Sequence, residues 1–432
     1  MVPVSRRLRT ITPPPPFLGW AREAASLDGV DPELGLAFWR VLRRVRAWAE
    51  TPPGERARRF GSGRDEARER LGVACAHAPA LVEALGTFAL LVRAPGEVEP
   101  RRLSEACRQV HAWAEERSLL PVAMLFAEAA AYADPDDPAR ANDAGRMCRR
   151  AAQDERASSW YHRGYGLGVR RQDDTETIRA QIGYGNLMKD LGQYDEARKY
   201  FERAARRAIN TGRKRQAGEA HHDLLAIAAE VGTYAEAERH VRRALTYYPI
   251  RHPRLPALLH DWAFLHVRLH IYAPAIPLLD LAVQKVTAPE LKTLFSSTLA
   301  WAVAGAGRRD EFERIESEAV LLAGKHQEHA AAALIHLSEG ARALSLWGRA
   351  ELYAARAVDI AAMRKEAALE GEGLGLLEAI MNRIGVPREE CAPNPDRLSA
   401  LTQRFQARLR SLDAPRRRQP GASEKRQHPS TS

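Results

Sequence analysis

The sequence predicts an all-helical chain in which helix pairs stack into a curved solenoid, and three observations carry that expectation. Of 432 residues, 45% are hydrophobic and 28% charged while only 7% are aromatic. With Ala and Arg abundant and runs of Val, Ile and Thr scarce, helices are favoured over sheets. Between about Ile178 and Met363 the chain is self-similar at a nearly fixed spacing, as expected of a repeat architecture. Small residues recur within each unit where two helices must cross closely.

Taken in order, residues 1–30 form a leader. Its run Pro13 to Pro16 cannot donate backbone hydrogen bonds and favours a stiff extended conformation outside the core. Asp31 and Pro32 then supply an N-cap and a first-turn proline, and Leu34, Phe38, Val41, Leu42, Val45 and Trp48 follow at helical spacing until Thr51 to Gly54 stops the helix. Further helices are expected near residues 64–75, 79–93, 99–117 and 119–133, with breaks at Ala94 to Gly96 and Asp134 to Pro138. No compact pair with a short Gly-bearing turn marks this 31–133 region as a helix-turn-helix. It reads as an irregular helical region, either a distinct domain or degenerate repeats.

The 134–385 segment carries the repeats. LGQYDEARKYFERAARRA holds Gly192, Tyr194, Ala197, Phe201 and Ala204, and the next unit repeats the pattern with Gly232, Tyr234, Ala237, Val241 and Ala244 before Pro249. Tyr272, Ala275, Leu279 and Ala282 mark a third unit, Gly307, Phe312 and Ala319 a fourth, and Trp347, Ala350, Ala354 and Ala357 a fifth. The anchors at 197, 237, 275, 312 and 350 are 40, 38, 37 and 38 residues apart. A weaker unit is centred on Ala144, Cys148 and Ala151, with another helix around Trp160 to Arg170. Small side chains at 197, 204, 237 and 244 allow close crossings while Tyr194, Phe201 and Tyr234 fill the space beside them. Gly192 and Gly232 are placed at the ends of first helices, where a residue without a Cβ is favoured. One pair cannot bury its apolar face alone, so pairs must stack, and a small rotation per pair curves the stack.

These residues, in the order G-x-Y-x-x-A-x-x-x-F-x-x-A, resemble the tetratricopeptide repeat, although the spacing exceeds the roughly 34 residues of the standard unit. The resemblance implies a right-handed α-solenoid of tetratricopeptide-like helix pairs in which the first helix of each pair faces a concave groove. Transferring that register implies groove positions Asn186 and Lys189, then His222 and Glu230, then His260, Phe264 and Arg268, then Trp301, then Glu339 and Arg342. Asn186 has the amide chemistry to grip a peptide backbone, or else is satisfied by its own or a neighbouring helix. The Lys with which some family members clamp a terminal carboxylate falls here on Ile182, so that clamp is not implied. His222-Asp223 and His260-Asp261 occupy equivalent places 38 residues apart, and an inter-repeat hydrogen bond that sets stacking register is favoured over a recognition or pH-responsive pair.

Other features point away from chemistry. His266 and His270 have metal-compatible i, i+4 spacing but no third ligand in sight. GYGLG at Gly164 to Gly168 and GEGLG at Gly371 to Gly375 follow no strand, so helix packing is expected of them and not a phosphate-binding loop. No nucleophile elbow, P-loop or framed carboxylate set is present, so neither catalysis nor a cofactor or metal is expected. Cys75, Cys107, Cys148 and Cys391 lie far apart and read as small, buried, reduced residues. No stretch approaches the roughly 18 apolar residues of a membrane span, and residues 1–20 lack an apolar signal region, so a cytoplasmic chain is expected. The Arg-rich composition suits a GC-rich bacterial proteome.

Of the net charge of +10, the last residues carry a net +4 from Arg416, Arg417, Arg418, Lys425 and Arg426 against Glu424. Residues 386–414 are expected as a C-terminal capping helix and 415–432 as a disordered basic tail, with nucleic acid unlikely except through that tail. The function expected is a protein-interaction scaffold or adaptor holding a partner protein or extended peptide in the groove. The alternative resembles bacterial peptide-sensing repeat receptors, in which a peptide alters solenoid curvature to regulate transcription or a signalling enzyme.

Overall fold

The computed structural model of the chain describes residues 11–19, 27, 29–60, 78–230, 233–249, 251–387 and 395–413. Among these residues there are nineteen α-helices and no strand. The expected helix near 64–75, Cys75, Cys391, Gly232 and the basic tail lie outside the described residues.

α1 (Pro32–Glu50) begins as its sequence requires, with the Asp31 carboxylate accepting the backbone N–H groups of Glu33 and Leu34. After the single turn α2 (Arg56–Arg59) come α3 (Val82–Arg93), α4 (Pro100–Glu116) and α5 (Leu120–Ala133). α1 packs on α5 and α3 on α4, around an aromatic cluster in which Phe38 meets Phe126 at 5.0 Å and Trp113 at 5.8 Å. The Trp48 indole donates to the Pro95 carbonyl at 2.9 Å, which ties the end of α1 to the Ala94 to Gly96 break.

The proline leader has no regular secondary structure over residues 11–19, yet it is part of the packing and not a detached strap. Its carbonyls are taken up by the body: Arg163 bonds Thr12, the Tyr132 hydroxyl bonds Pro15, and Arg156 bonds Pro16. Leu18 enters the core and the Phe17 ring lies 3.9 Å from that of Tyr132. A segment with few backbone donors is held here through its acceptors.

From α4 onward the helices run as successive pairs. α4 and α5 make the first, and α6 (Pro138–Arg150) with α7 (Asp154–Arg170) the second. Then follow α8 (Asp174–Asp190) with α9 (Tyr194–Asn210), α10 (Lys214–Glu230) with α11 (Tyr234–Tyr247), and α12 (Leu255–Arg268) with α13 (Tyr272–Lys285). α14 (Pro289–Gly305) pairs with α15 (Arg309–Lys325), and α16 (Ala330–Ala343) with α17 (Trp347–Arg364), before α18 (Ala367–Met381) and α19 (Pro395–Asp413). From α6 to α18 each first helix also touches the next first helix, so the first helices form the inner layer of the stack and their partners the outer one.

The crossings are made as the repeat pattern requires. Ala197, Ala204, Ala237, Ala244, Ala275, Ala282, Ala319, Ala350, Ala354 and Ala357 are fully buried. A second device was not read from the sequence: an aromatic ring lies flat over a glycine of a neighbouring helix. A Cβ on Gly185 would sit 2.7 Å from the Phe201 ring, one on Gly305 2.5 Å from Tyr272, and one on Gly340 2.8 Å from Phe312. Many of the turns share one closure, in which a residue just past the helix adopts a left-handed conformation and the next N–H bonds back to the carbonyl five residues earlier. Gly192 does so at φ 72°, with Gln193 N–H reaching the Met188 carbonyl at 2.8 Å. Ala152, Gln172, His270, Ser345 and Lys365 hold the same conformation without being glycine, which is why glycine marked only some of the turns.

Two apolar cores run end to end along the stack, one from Leu18 to Ile227 and one from Leu225 to Leu409. Cys107 and Cys148 are free and buried, as expected. Gly164 and Gly168 are indeed close-packing sites, since a Cβ on Gly168 would lie 2.7 Å from Thr177 Oγ1 and one on Gly164 would strike the Asn142 side chain. In the second Gly-rich stretch only Gly373 is tightly packed.

Candidate functional site

Residues one repeat apart on successive first helices are joined by hydrogen bonds, in one run from Asn186 through Asp223 to Arg254 and another from Tyr248 through His222 to His336. On α8, Asn186 donates Nδ2–H to the Ile182 carbonyl of its own helix at 3.1 Å and faces Asp223 of α10 at 3.5 Å. Asp223 also receives Arg254 at 2.7 Å. His222 pairs through Nδ1 with the Tyr248 hydroxyl at 2.9 Å and through Nε2 with Asp261 of α12 at 3.0 Å. The other Asp261 oxygen meets His260 Nδ1 at 3.0 Å. His260 Nε2 then reaches Thr298 Oγ1 of α14 at 2.9 Å, and that hydroxyl pairs with His336 Nδ1 of α16 at 2.9 Å.

The electrostatics follow from burial. His222 is 1% exposed, and its pKa is lowered first by loss of solvent and then by Arg254, against the raising effect of Asp261. His336 is pushed down to about 3 by burial, with His260 and Arg268 adding to it. For Asp261 burial acts upward, but the hydrogen bonds from His222 and His260 outweigh it and hold the carboxyl well below its ordinary range. Burial thus favours neutral rings at His222 and His336 beside an anionic Asp261, and slipping one helix pair along its neighbour would leave several of these groups unpaired in a dry interior.

Aromatic rings fill the space beside these groups. His260 stacks on Phe295 at 4.1 Å, Phe264 approaches His336 at 5.1 Å, and Trp301 approaches His336 at 5.5 Å. His222, His260, Phe264 and Trp301, placed in the groove by register, are thus buried at 1, 3, 8 and 5% exposure and are engaged within the protein. Their side chains are taken up between the helices and not presented to a ligand.

Of the remaining register positions, three are partly exposed. Lys189 keeps 31% of its side chain exposed, Glu230 33% and Arg268 30%. Arg268 donates to the Glu230 carbonyl at 3.0 Å and reaches Glu372 of α18 at 3.2 Å. Glu230 has its pKa raised by burial, opposed by Arg268 and Lys189, and Glu372 is raised by burial and then by the charge of Glu230. Glu339 and Arg342 form an ion pair at 2.6 Å, and Arg342 also bonds the Ile384 carbonyl at 2.9 Å.

Contacts between distant repeats show that the stack closes on itself. Arg150 at the end of α6 pairs with Glu328 at 2.5 Å and Glu115 at 2.5 Å. Arg364 reaches the Arg150 carbonyl at 3.4 Å, and a Cβ on Gly192 would lie 3.4 Å from that of Ala368. Repeats far apart in sequence therefore meet, and Glu372 and Glu328, which no repeat position suggests, are among the residues through which they meet. His266 is occupied by the Trp262 carbonyl and His270 by the Tyr272 hydroxyl, both at 2.8 Å, so the two rings serve separate partners. Among the described residues no helix is long and apolar enough to cross a membrane.

Residues 176–249 match the tetratricopeptide repeat family model, and the helix-pair architecture around them is that of a tetratricopeptide-repeat solenoid. No curated protein sequence matches the chain. Among solved structures, a Rap protein complexed with competence and sporulation factor is similar over 77% of this chain and 99% of its own, at 11% identity and a TM-score of 0.51. The apo form of RapI is similar over 80% of this chain and 98% of its own, at 12% identity and a TM-score of 0.42. The first likeness establishes a shared fold.

Proposed function

We propose that the chain is a non-catalytic, peptide-sensing regulator. A peptide enters the hollow, engages the charged rim formed by Lys189, Glu230, Arg268 and Glu372, and changes how the first and last repeats meet. The helices of residues 31–133 then present the altered surface to an effector, either a transcription component or a signalling enzyme. The observation that carries the reading is the contact of Arg268 with both Glu230 and Glu372, residues of α10 and α18, all three partly exposed. A ligand that competes for any of these charges has differential affinity for open and closed forms, which is what a population shift requires. The fold shared with the Rap protein, whose structure holds competence and sporulation factor, supports a ligand-responsive solenoid over a static scaffold.

The test is selection from a random-sequence peptide display library against the wild-type chain and an Arg268→Glu variant in parallel. Peptides enriched on wild type that bind the variant at least tenfold more weakly support the reading. Equal enrichment on both, or none on wild type, counts against it.

A further inference from the structure

α18 has no second helix completing its pair among the described residues, and Leu374 and Met381 on it and Ile384 beyond it are exposed. The next helix, α19, goes elsewhere. Its Leu401, Phe405 and Leu409 form an i, i+4, i+8 stripe, and all three are 0–1% exposed within the second core. α19 packs on α12, and Arg408 donates to the Tyr248 carbonyl at 2.8 Å, at the rim where α12 starts. On the opposite rim Arg342 holds the Ile384 and Gly385 carbonyls at 2.9 and 3.3 Å. Ile384 and Gly385 thus lie at the rim where the first helices end, and Arg408 of α19 near the rim where they begin. Nineteen helical residues span roughly 28 Å, enough to run antiparallel to α12 from one rim to the other. α12 is flanked by α10 and α14 within the inner layer and backed by α11 and α13, so the side open to α19 is the concave one.

We propose that α19 is a ligand carried in cis, seated on the concave face of α12, and that the ligand competing with it is an amphipathic helical segment with the same i, i+4, i+8 apolar stripe. An apolar stripe seated on a helical wall is helix-in-groove recognition. Tethering raises its effective concentration to the millimolar range, so the cis helix sets a threshold that an outside segment must exceed. The inference rests on reading the hollow as a binding surface and names what that surface takes.

The experiment uses the full chain with a protease site inserted between residues 387 and 395, and a fluorescein-labelled synthetic peptide of residues 395–413. The uncut chain is expected to ignore the peptide, and the cut chain to exchange it in saturably. A Phe405→Ala/Leu409→Ala peptide is expected to bind at least tenfold more weakly. A cut chain that keeps its helical circular dichroism yet takes up neither peptide, or both equally, overturns the proposal. Hydrogen exchange on the uncut Phe405→Ala/Leu409→Ala chain decides independently: protection is expected to fall in α19 and α12 with α11 and α13 unaffected, and unchanged protection in α12 contradicts it. Failure here leaves library-selected peptides free to bind, so this proposal and the function it rests on fail separately.

Discussion

At the scale of single residues, the hydrogen-bonded run from His222 through Asp261, His260 and Thr298 to His336 decides whether the repeats stack in register. Asp261 is its central member because its two oxygens serve imidazoles of two different repeats. Asp261→Asn keeps one acceptor and leaves one buried ring nitrogen without its partner, for an expected loss of about 2–3 kcal/mol with helicity retained. Urea denaturation followed by circular dichroism measures it, and an unchanged midpoint contradicts the network's role. The pH dependence has a definite sign. His336 stays neutral in the fold down to about 3, whereas its unfolded pKa is about 6.5, so the unfolded chain binds the extra proton in between. Its stabilising contribution is full above about pH 6.5 and falls as pH drops towards 3, by about 1.4 kcal/mol per unit within that window. His221, His240 and His266, lowered by burial to about 3, 4 and 4, act in the same direction. The stability lost between pH 7 and pH 5 is expected to be smaller in His336→Asn than in wild type, and an identical loss refutes the assignment. The paired His-Asp dipeptides were legible in the sequence because they recur at one repeat's distance. Thr298 and His336 were not, because a hydroxyl and an imidazole at equivalent positions share no pattern.

At the scale of elements, the helix pairs follow from small residues at crossings, and these were legible wherever alanine marked them. The glycines beneath Phe201, Tyr272 and Phe312 were missed, because a glycine inside a helix reads first as a propensity penalty and only the fold shows the ring above it. Gly305→Ala is expected to force the Tyr272 ring from its seat and cost about 1–3 kcal/mol, read as a lowered thermal midpoint. The opposite result, a gain of about 1 kcal/mol from better helix propensity, would mean that the ring is free to yield. The turns were half legible: Gly192 announces its left-handed conformation, while His270 and Lys365 adopt it through the same closure with no sign in their side chains. The groove positions illustrate the same limit. Repeat register put His260 and Trp301 on the correct helices, but register to within one residue does not say whether a side chain enters the hollow or the seam beside it.

At the scale of the whole molecule, a solenoid assembled from neighbour contacts acquires long-range ones once it has turned far enough for its ends to meet. Arg150 with Glu328, and Arg268 with Glu372, are such contacts, and no periodicity predicts them because they depend on the accumulated rotation of several pairs. Arg150→Ala removes a guanidinium held by Glu328 and Glu115 and is expected to open the hollow. Small-angle X-ray scattering should give a larger radius of gyration at unchanged helicity, and an unchanged radius would mean that the apolar cores alone fix the curvature.

The central claim, that recognition takes place in the hollow behind a register-locked wall, is tested most directly by site-specific photo-crosslinking. A photoreactive side chain is placed at Lys189 on the inner surface, and in a second chain at Arg206 on the outer helix α9, and each is irradiated with the peptides that wild type selects. The account predicts adducts at 189 and none at 206; adducts at 206, or equally at both, would contradict it.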